Sequence, residues 1–592
     1  MTASTFESPH VSELQTALSY INAGRKDEAR DILQRVLRAD SDNHNALQLL
    51  GALLIDAKQY QSGIALLERS LTIKPGMPAV LNNLGCALFD DGQFEKAASY
   101  FQQAVEVRKD DPSVYFHLGN ALYLAHRLPE ARDAYEQALQ LKPDHYAALG
   151  MLVSTANTMC DWRYDSLLVR AAATSQFNGQ PFQLLQLVDD PALHLKAARA
   201  HATARPQGDR KTMGVAAQGL NKIRVAYVSS GFQQHPVGRA IVELFERHDK
   251  QRFAFHAISL GRDDGSAMRT RLKSAFDAFM DFSGTSDEDV VAYLRAHKID
   301  VAVDLDGYTN GNRARIFSLG AAPIQVNYLG YPGTLGSNAY DYILADPFVA
   351  PADQQQYYVE KIAHLPIVHL PSDRQRNIAP PASRRSCGLP DAGFVFCAFS
   401  NPSKIRPDIF DIWMRLLHQT PGGVLWLREL NNFARDNLRR MAEQQGIDPR
   451  RLVFATFAAD HADYMALYQL ADLFLDTSPY SAFTTASDAL WAGLPVLTWA
   501  GRSFASRGTG CILAALGMTE LITRSATEYE EIALLLSRDP DALNAIRDKL
   551  AQARNTTDAF NTDLHARHIE AAFETMVDIQ RRGEAPRAFT VA

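Results

Sequence analysis

Thr484 and Thr485 stand where an apolar run, Leu473–Leu475, has passed through a Pro- and Ser-containing turn and a helical pattern through Ala486, Ala489, Leu490 and Trp491 begins. A helix start offers free backbone N–H groups and the positive end of the dipole, and two hydroxyls add donors, so this arrangement suits a phosphate. Asp488, one turn further in, could accept from ribose hydroxyls. Read alone, the stretch also fits an ordinary N-cap in which a threonine closes a loop. Lys404 follows another apolar run, 394–398, in the loop Phe399-Ser400-Asn401-Pro402-Ser403-Lys404-Ile405. It is a point charge suited to the same anion, with a solvated surface lysine as the plain alternative. His235, in Gly231-Phe232-Gln233-Gln234-His235-Pro236, follows the run 223–229 on a tight loop. Its imidazole could take a proton from an attacking hydroxyl near neutral pH, or could be a loop histidine bonded for structure.

Two further loops carry polar groups. Val303-Asp304-Leu305-Asp306-Gly307-Tyr308-Thr309 contains a D-x-D like that of metal-dependent sugar transferases. One D-x-D at a strand end is common, and a two-lobed site can stabilise a diphosphate with Lys404 and the helix start at Thr484-Thr485, so no metal is expected. Gly330-Tyr331-Pro332-Gly333-Thr334 is a Gly/Pro turn whose backbone could approach a sugar closely.

The elements that position these residues fall into two sets of short apolar or β-branched runs alternating with helical patterns. The first comprises 223–229, 253–260, 301–304, 324–329 and 342–345; the second comprises 394–398, 424–427, 452–455, 473–475 and 496–498. Such alternation predicts βαβ units and mainly parallel sheets. A strand-poor, Pro-rich stretch, 366–392, separates the sets, which predicts two doubly wound lobes facing each other across a cleft. Ligands bind at the carboxyl ends of such strands, which places the functional loops at 229–239, 305–314, 330–337, 399–405 and 477–485. Ahead of the lobes, Leu50-Gly51, Leu84-Gly85 and Leu118-Gly119 recur at a spacing of 34. Small residues (Gly63, Ala97, Ala131) follow, then large ones (Leu67, Phe101, Tyr135), and a weaker first unit fits the same frame. This is the tetratricopeptide (TPR) pattern, which stacks helix pairs around a concave groove. Residues 146–205 keep a helical pattern, and 206–222 read as a linker or exposed loop.

Composition removes several classes. The 592 residues carry a net charge of −7, with 46% apolar and 21% charged residues, and the basic residues are scattered. No nucleic-acid footprint is present. Five cysteines are far apart, without C-x-x-C or zinc spacing, which suggests reduced thiols and a cytoplasmic protein. Neither an export signal nor a run of about 20 apolar residues is visible, so no membrane association is expected. Walker A, G-x-G-x-x-G, G-x-S-x-G and H-E-x-x-H are missing, which counts against kinase, dehydrogenase, hydrolase and zinc-protease readings.

Taken in order, the repeats, Cys160-Asp161-Trp162, the HPVG loop at His235, DLDGYT, APIQVNYLGYPGT, the SKI loop, LFLDTSPY, TTASDALWAGLPVLT and FASR resemble the TPR-containing O-GlcNAc transferase family. The bacterial members look most similar. The resemblance implies an α plus α/β chain, with an N-terminal TPR superhelix followed by a two-lobed GT-B fold of two Rossmann-like domains. On that basis the expected domains are TPR repeats over 1–145, a helical bridge and linker over 146–222, an N-terminal lobe over 223–372, a nucleotide-sugar lobe over 373–560, and a C-terminal helix and tail over 561–592. The implied reaction moves N-acetylglucosamine from UDP-GlcNAc to Ser or Thr of a protein by inverting displacement, without cofactor or metal, on an acceptor recruited by the TPR groove. TPR stacks of the family can form homodimers. Lys404 matches the lysine on the donor pyrophosphate, Thr484 and Thr485 the phosphate-binding threonines, and Asp488 the ribose-binding aspartate. His235 matches a loop histidine assigned either as base or as donor-positioning group. Thr309, Gly333 and Thr334 match loops around the sugar, and Asn401 a polar residue facing the transferring centre. Three departures fall on the donor side. The family's His-Thr-Thr reads Phe483-Thr484-Thr485, Ser403 replaces a tyrosine before the lysine, and Tyr464 and Leu467 stand where relatives place a His and an Arg near the uracil. The fucosyl branch also lacks that histidine, so GDP-fucose, UDP-glucose and a CMP-nonulosonate passed to a flagellin-like protein stay open as donors. A catalytically inactive TPR scaffold is the reading from another class, against which Lys404, Thr484, Thr485 and Asp488 are all retained.

Overall fold

The computed structural model describes residues 10–174, 177–203, 222–455 and 460–592. The expected linker lies outside the described residues up to position 221. The chain divides into two compact units, 1–156 and 157–592. Among the described residues no helix is long and apolar enough to cross a membrane.

The first unit is an array of antiparallel helix pairs: α1 (Val11–Asn22), α2 (Lys26–Ala39), α3 (His44–Asp56), α4 (Tyr60–Ile73), α5 (Pro78–Asp90), α6 (Phe94–Val107), α7 (Pro112–Leu124) and α8 (Leu128–Leu141). A ninth helix, α9 (Tyr146–Thr158), follows. The repeat spacing has a direct steric cause. A Cβ on Gly85 would lie 2.6 Å from the Phe101 ring, and one on Gly119 would lie 2.5 Å from the Tyr135 ring. Each glycine therefore seats the large residue of its partner helix, which is fully buried. Pro78 and Pro112 open α5 and α7 at the first turn, where no N–H is required. Between α6, α7 and α8 a groove of about 700 Å³ is lined by Ser99, Gln102, Tyr115, Arg127 and Glu130 among others.

In the second unit three bridge helices come first: α10 (Asp165–Ala172), α11 (Phe182–Leu187) and α12 (Pro191–Thr203). They are not an independent spacer. Leu185 and Ala198 share a core with Ala226 and Val228, and the Trp162 indole N–H donates to the Ile405 carbonyl at 2.9 Å.

The first lobe runs β1 (Ile223–Ser229), α13 (Pro236–Arg247), β2 (Phe253–Ser259), α14 (Ala267–Ala275), β3 (Ala278–Asp281) and α15 (Asp287–Ala296). It continues through β4 (Val301–Asp304), α16 (Arg315–Ser318), β5 (Ile324–Asn327), β6 (Tyr342–Ala345) and β7 (Lys361–His364). The second lobe runs β8 (Val395–Ala398), α17 (Pro407–Gln419), β9 (Val424–Arg428), α18 (Asn432–Gln444), β10 (Leu452–Ala455) and α19 (His461–Leu467). It continues through β11 (Leu473–Leu475), α20 (Thr484–Trp491), β12 (Val496–Trp499), α21 (Phe504–Ala515), β13 (Ile522–Thr523), α22 (Ala526–Arg538) and α23 (Pro540–Thr556). Then come α24 (Thr562–Arg581) and β14 (Phe589–Thr590).

Both sheets are parallel. The first has the order β3-β2-β1-β4-β5-β6-β7-β14 and the second β10-β9-β8-β11-β12-β13. Val225 of β1 pairs with Phe255 on one side and Val301 on the other. Helices cover both faces, so the strands are short and almost wholly apolar rather than alternating.

Two features add to the sequence reading. Strands β3, β7, β13 and β14 are new; β13 and β14 have two residues each, and β3 and β7 carry charged or polar ends (Asp281, Lys361, His364) that break an apolar run. The 561–592 segment, expected as a C-terminal helix and tail, packs on the first lobe. Its helix α24 buries Ile569, Phe573, Met576 and Val577 in the core of the first lobe, and β14 extends that lobe's sheet beside β7. Truncating Phe573 to Ala should therefore destabilise the first lobe by about 3–5 kcal/mol. Urea denaturation followed through a first-lobe probe should show the shift; an unchanged midpoint would mean that α24 is dispensable there.

Candidate functional site

In each sheet the strand order reverses at one point, between β1 and β4 in the first and between β8 and β11 in the second. Connections leaving such neighbours diverge to opposite faces and open a crevice at the carboxyl ends. The polar loops singled out by sequence leave from these strands or, for the 330–337 loop, from the adjacent β5.

In the second lobe the reversal point builds an anion cradle. Helix α20 begins at Thr484, its N-cap is Phe483, and no side chain caps it. The two threonines are thus the first helical residues, not caps, and the first-turn N–H groups face out of the helix. The Phe483 ring packs 6.0 Å from Tyr480 and 6.4 Å from Phe504, between α20 and α21. Lys404 closes the other side. Its ammonium donates to the Ser481 carbonyl at 3.0 Å and lies 4.2 Å from the centre of the Tyr480 ring. Burial pulls its pKa down to about 8, opposed by the Asp476 carboxylate. This is a desolvated charge next to a helix start, not a solvated surface lysine. Asp476, fully buried, accepts from the Thr477 and Ala482 amides at 2.8 and 2.7 Å and from the Thr498 hydroxyl at 2.6 Å. It thereby shapes the loop that presents both Ser481 and α20. Asn401 is exposed, and its side-chain oxygen accepts from the Ser403 amide at 3.0 Å, so it holds the turn that carries Lys404.

Asp488 lies on α20 as expected, but it has a partner. Arg376, from the connection between the lobes, donates to one Asp488 oxygen at 2.6 Å and to the Ser487 hydroxyl at 3.2 Å. The same guanidinium donates to the Ser372 hydroxyl at 2.6 Å and to the Asp373 carbonyl at 2.8 Å. One carboxylate oxygen is thereby fixed, which orients the other. Arg376 escaped the sequence reading because nothing local distinguishes an arginine in a Pro-rich connection.

In the first lobe the D-x-D carboxylates face inward. Asp304 accepts from the Asp306 and Gly307 amides, both at 2.9 Å, and from the Tyr340 hydroxyl at 2.6 Å. Asp306 accepts from the Ser229 hydroxyl at 2.7 Å and the Ser230 amide at 2.6 Å. Burial, with Asp304 beside it, raises the Asp306 pKa to about 6. The pair joins the end of β4 to the loop after β1, which carries His235. His235 is exposed and caps α13, its Nδ1 accepting from the Val237 amide at 3.3 Å. With Nδ1 as acceptor, the neutral ring carries its proton on Nε2, the tautomer of a hydrogen-bond donor. Desolvation and then the Arg239 charge lower its pKa, which favours that neutral form.

The remaining sequence candidates hold backbone. The Thr309 hydroxyl donates to the Asp306 carbonyl at 2.8 Å, and the Gly333 carbonyl accepts from Asn327 at 3.0 Å. A Cβ on Gly330 would sit 2.0 Å from the Leu305 carbonyl, so only glycine lets this turn meet the β4 loop. Thr334 uses its side chain within the loop. It is buried, and its hydroxyl donates to Glu360 at 2.5 Å while accepting from the Gly336 and Val359 amides. It fixes the loop and has no hydroxyl capacity left for a ligand. A second group missed by sequence is Asp189, in the bridge. It accepts from the Arg502 and Ser503 amides at 2.6 and 2.7 Å and from the Ser506 hydroxyl at 3.0 Å, bonds that hold its pKa low despite burial.

Residues 210–380 and 372–569 match the profile of glycosyl transferase family 41, and residues 14–78 and 82–146 match a tetratricopeptide repeat. The chain is 31% identical to SEC of Arabidopsis thaliana, a probable UDP-N-acetylglucosamine–peptide N-acetylglucosaminyltransferase, over 74% of this chain and 48% of that protein. It is 26% identical to the UDP-N-acetylglucosamine–peptide N-acetylglucosaminyltransferase of Caenorhabditis elegans, over 60% of this chain and 40% of that one. The chain thus spans about half or less of the length of these curated relatives. Among solved structures, a lysine-to-methionine variant of the Thermobaculum terrenum O-GlcNAc transferase superposes with a TM-score of 0.62 at 25% identity, covering 98% of this chain and all of that one.

The Lys404 environment has a measurable consequence. Only the protonated ammonium attracts an anion, and its fraction falls as pH rises through about 8. Affinity for a nucleoside diphosphate should therefore weaken above that pH by the release of one proton. Lys404→Ala should bind roughly tenfold to hundredfold more weakly at pH 7, keep its thermal midpoint within a few degrees, and lose this pH dependence. Calorimetric titration across pH 6.5–9.5 checks this; identical profiles for both proteins would place the anion elsewhere.

Proposed function

The chain belongs to glycosyl transferase family 41 and is a glycosyltransferase, and we propose that it transfers a sugar from a nucleotide donor, by default UDP-GlcNAc, to a Ser or Thr hydroxyl of a protein acceptor. The observation that carries this reading is the cradle in the second lobe: an uncapped helix start with two threonines beside a half-buried lysine. Such a cradle stabilises the charge that grows on a departing diphosphate, in a site where water is scarce. The acceptor oxygen forms a bond to the anomeric carbon as the bond from that carbon to the diphosphate breaks. The leaving group takes the electron pair, and the hydroxyl proton passes to solvent or to a base. Attack opposite the leaving group inverts the centre. In this reading no metal is needed, because Lys404 and α20 supply the counter-charge and the carboxylates of Asp304 and Asp306 are turned inward.

His235 fits a donor-positioning role better than that of a base, since its neutral tautomer presents an N–H at Nε2. Asp488, oriented by Arg376, is suited to the ribose. The repeat array is suited to recruiting the acceptor, its helices offering a groove lined by both apolar and polar side chains.

A second reading keeps the reaction and changes the donor to GDP-fucose, UDP-glucose or a CMP-nonulosonate. It is favoured by Phe483, whose ring packs between α20 and α21 and offers no donor at the cradle. Two measurements decide. In a thermal-shift panel of UDP-, GDP- and CMP-sugars, UDP-GlcNAc is expected to raise the midpoint most; stabilisation by GDP or CMP compounds alone would move the assignment to the second reading. Intact-mass spectrometry of acceptors co-expressed with the protein then identifies the added sugar. An absence of both transfer and donor hydrolysis across the panel would leave the scaffold reading standing.

A further inference from the structure

Arg239 is the fourth residue of α13, in the first lobe, yet it faces the second. It lines one small pocket together with Arg376, Thr484, Ser487 and Asp488. Its environment is unlike that of the other cations there. Arg376 is paired with Asp488 at 2.6 Å, and Lys404 is bonded to Ser481 at 3.0 Å. The Arg239 guanidinium has neither an ion pair nor a hydrogen bond to any described residue; its interactions are through space, with Asp488, Tyr464, Arg428 and Tyr468. It is half-buried, and burial disfavours its charge. An arginine keeps its proton regardless, so the molecule holds an unanswered positive charge in the cleft. A second unanswered polar atom is close by. The Nε2 of His461, at the start of α19, is buried without a hydrogen-bond partner and feels the charges of Asp488, Arg239 and Arg376. Among the described residues that line the pocket Asp488 is the one carboxylate, and one of its oxygens is already engaged by Arg376; Asp460 acts on His461 from outside it. The pocket therefore carries a surplus of donors and positive charge directly beside the start of α20.

We infer that Arg239 is a donor-binding residue that reaches across the cleft to the phosphate held at Thr484 and Lys404, so that the bound nucleotide joins the two lobes. The inference rests on the proposed placement of the donor diphosphate at that cradle. A guanidinium fork suits this task, because it can meet two phosphate oxygens at once from the face opposite the helix start. The charge also lies on the turn that carries His235, four residues earlier, at the start of the same helix. Engagement of the phosphate by Arg239 would draw that loop toward the donor, and release of the diphosphate would let it go.

The test uses calorimetric binding of UDP, GDP, CMP, uridine and inorganic pyrophosphate to the full chain, with the wild type, Arg239→Gln and Arg239→Lys. Loss of phosphate contact should weaken the preferred nucleotide and pyrophosphate alike by roughly tenfold to hundredfold in Arg239→Gln, leave uridine unchanged, and be partly restored in Arg239→Lys. The wild type should also contract on nucleotide binding in small-angle scattering, and Arg239→Gln should not. Equal nucleotide affinity in wild type and Arg239→Gln would overturn the inference. So would a loss seen with nucleotides but not with pyrophosphate, since Arg239 would then read the nucleoside. If the wild type itself binds none of the phosphates, the proposed function fails first. Thermal midpoints of both variants within a few degrees of wild type exclude misfolding as the cause.

Discussion

A buried carboxylate at the reversal point of each sheet holds the cleft together. In the second lobe it is Asp476, at the end of β11; in the first it is Asp306, just past β4. The two strands are topological equivalents, each lying next to the first strand of its lobe. Each carboxylate gathers amide and hydroxyl donors from loops that would otherwise leave in different directions. A buried carboxylate without such partners would be costly, so the loops are drawn to the charge as much as the charge is placed by them. Asp476 also offsets part of the burial of Lys404, so that cation and the loop it bonds to share one counter-ion. The loops at the surface of the cleft are thus arranged by charges buried beneath them.

The lobes meet through a shared apolar core, in which Ile343, Val349 and Ile362 of the first pack with Phe504 and Cys511 of the second, and through polar bonds beside it. Arg376 extends from the connecting segment onto α20, and Arg507 of α21 donates to the Phe348 carbonyl at 3.1 Å. Asp189 ties the bridge to the start of α21.

Much of this was legible in the sequence because its causes are local. The Leu-Gly spacing reports a glycine seating an aromatic ring sixteen residues on, as with Gly85 and Phe101. Short apolar runs between helical patterns report doubly covered parallel strands. The helix start at Thr484 and the lysine at 404 were visible because a strand end, a loop and a helix start follow one another along the chain. What could not be read has partners far away in sequence. Arg376 meets Asp488, Asp189 meets Ser503, and Thr334 meets Glu360, and in none of these pairs does either residue carry a local mark of the other. Helix α24 shows the limit clearly. Its amphipathic pattern predicts a buried face but does not say which lobe that face covers, and it covers the earlier one.

That return has a consequence for how the chain matures. The first lobe's sheet is synthesised before the whole second lobe, but α24 and β14, which seal one face and one edge of it, emerge only after residue 561. On the ribosome the later lobe therefore has all its own strands before the earlier one is closed. Through that interval Phe245, Phe255 and Val326 lack the helix that finally shields their side of the core. The earlier lobe can close only last, and the order of completion is the reverse of the order of translation.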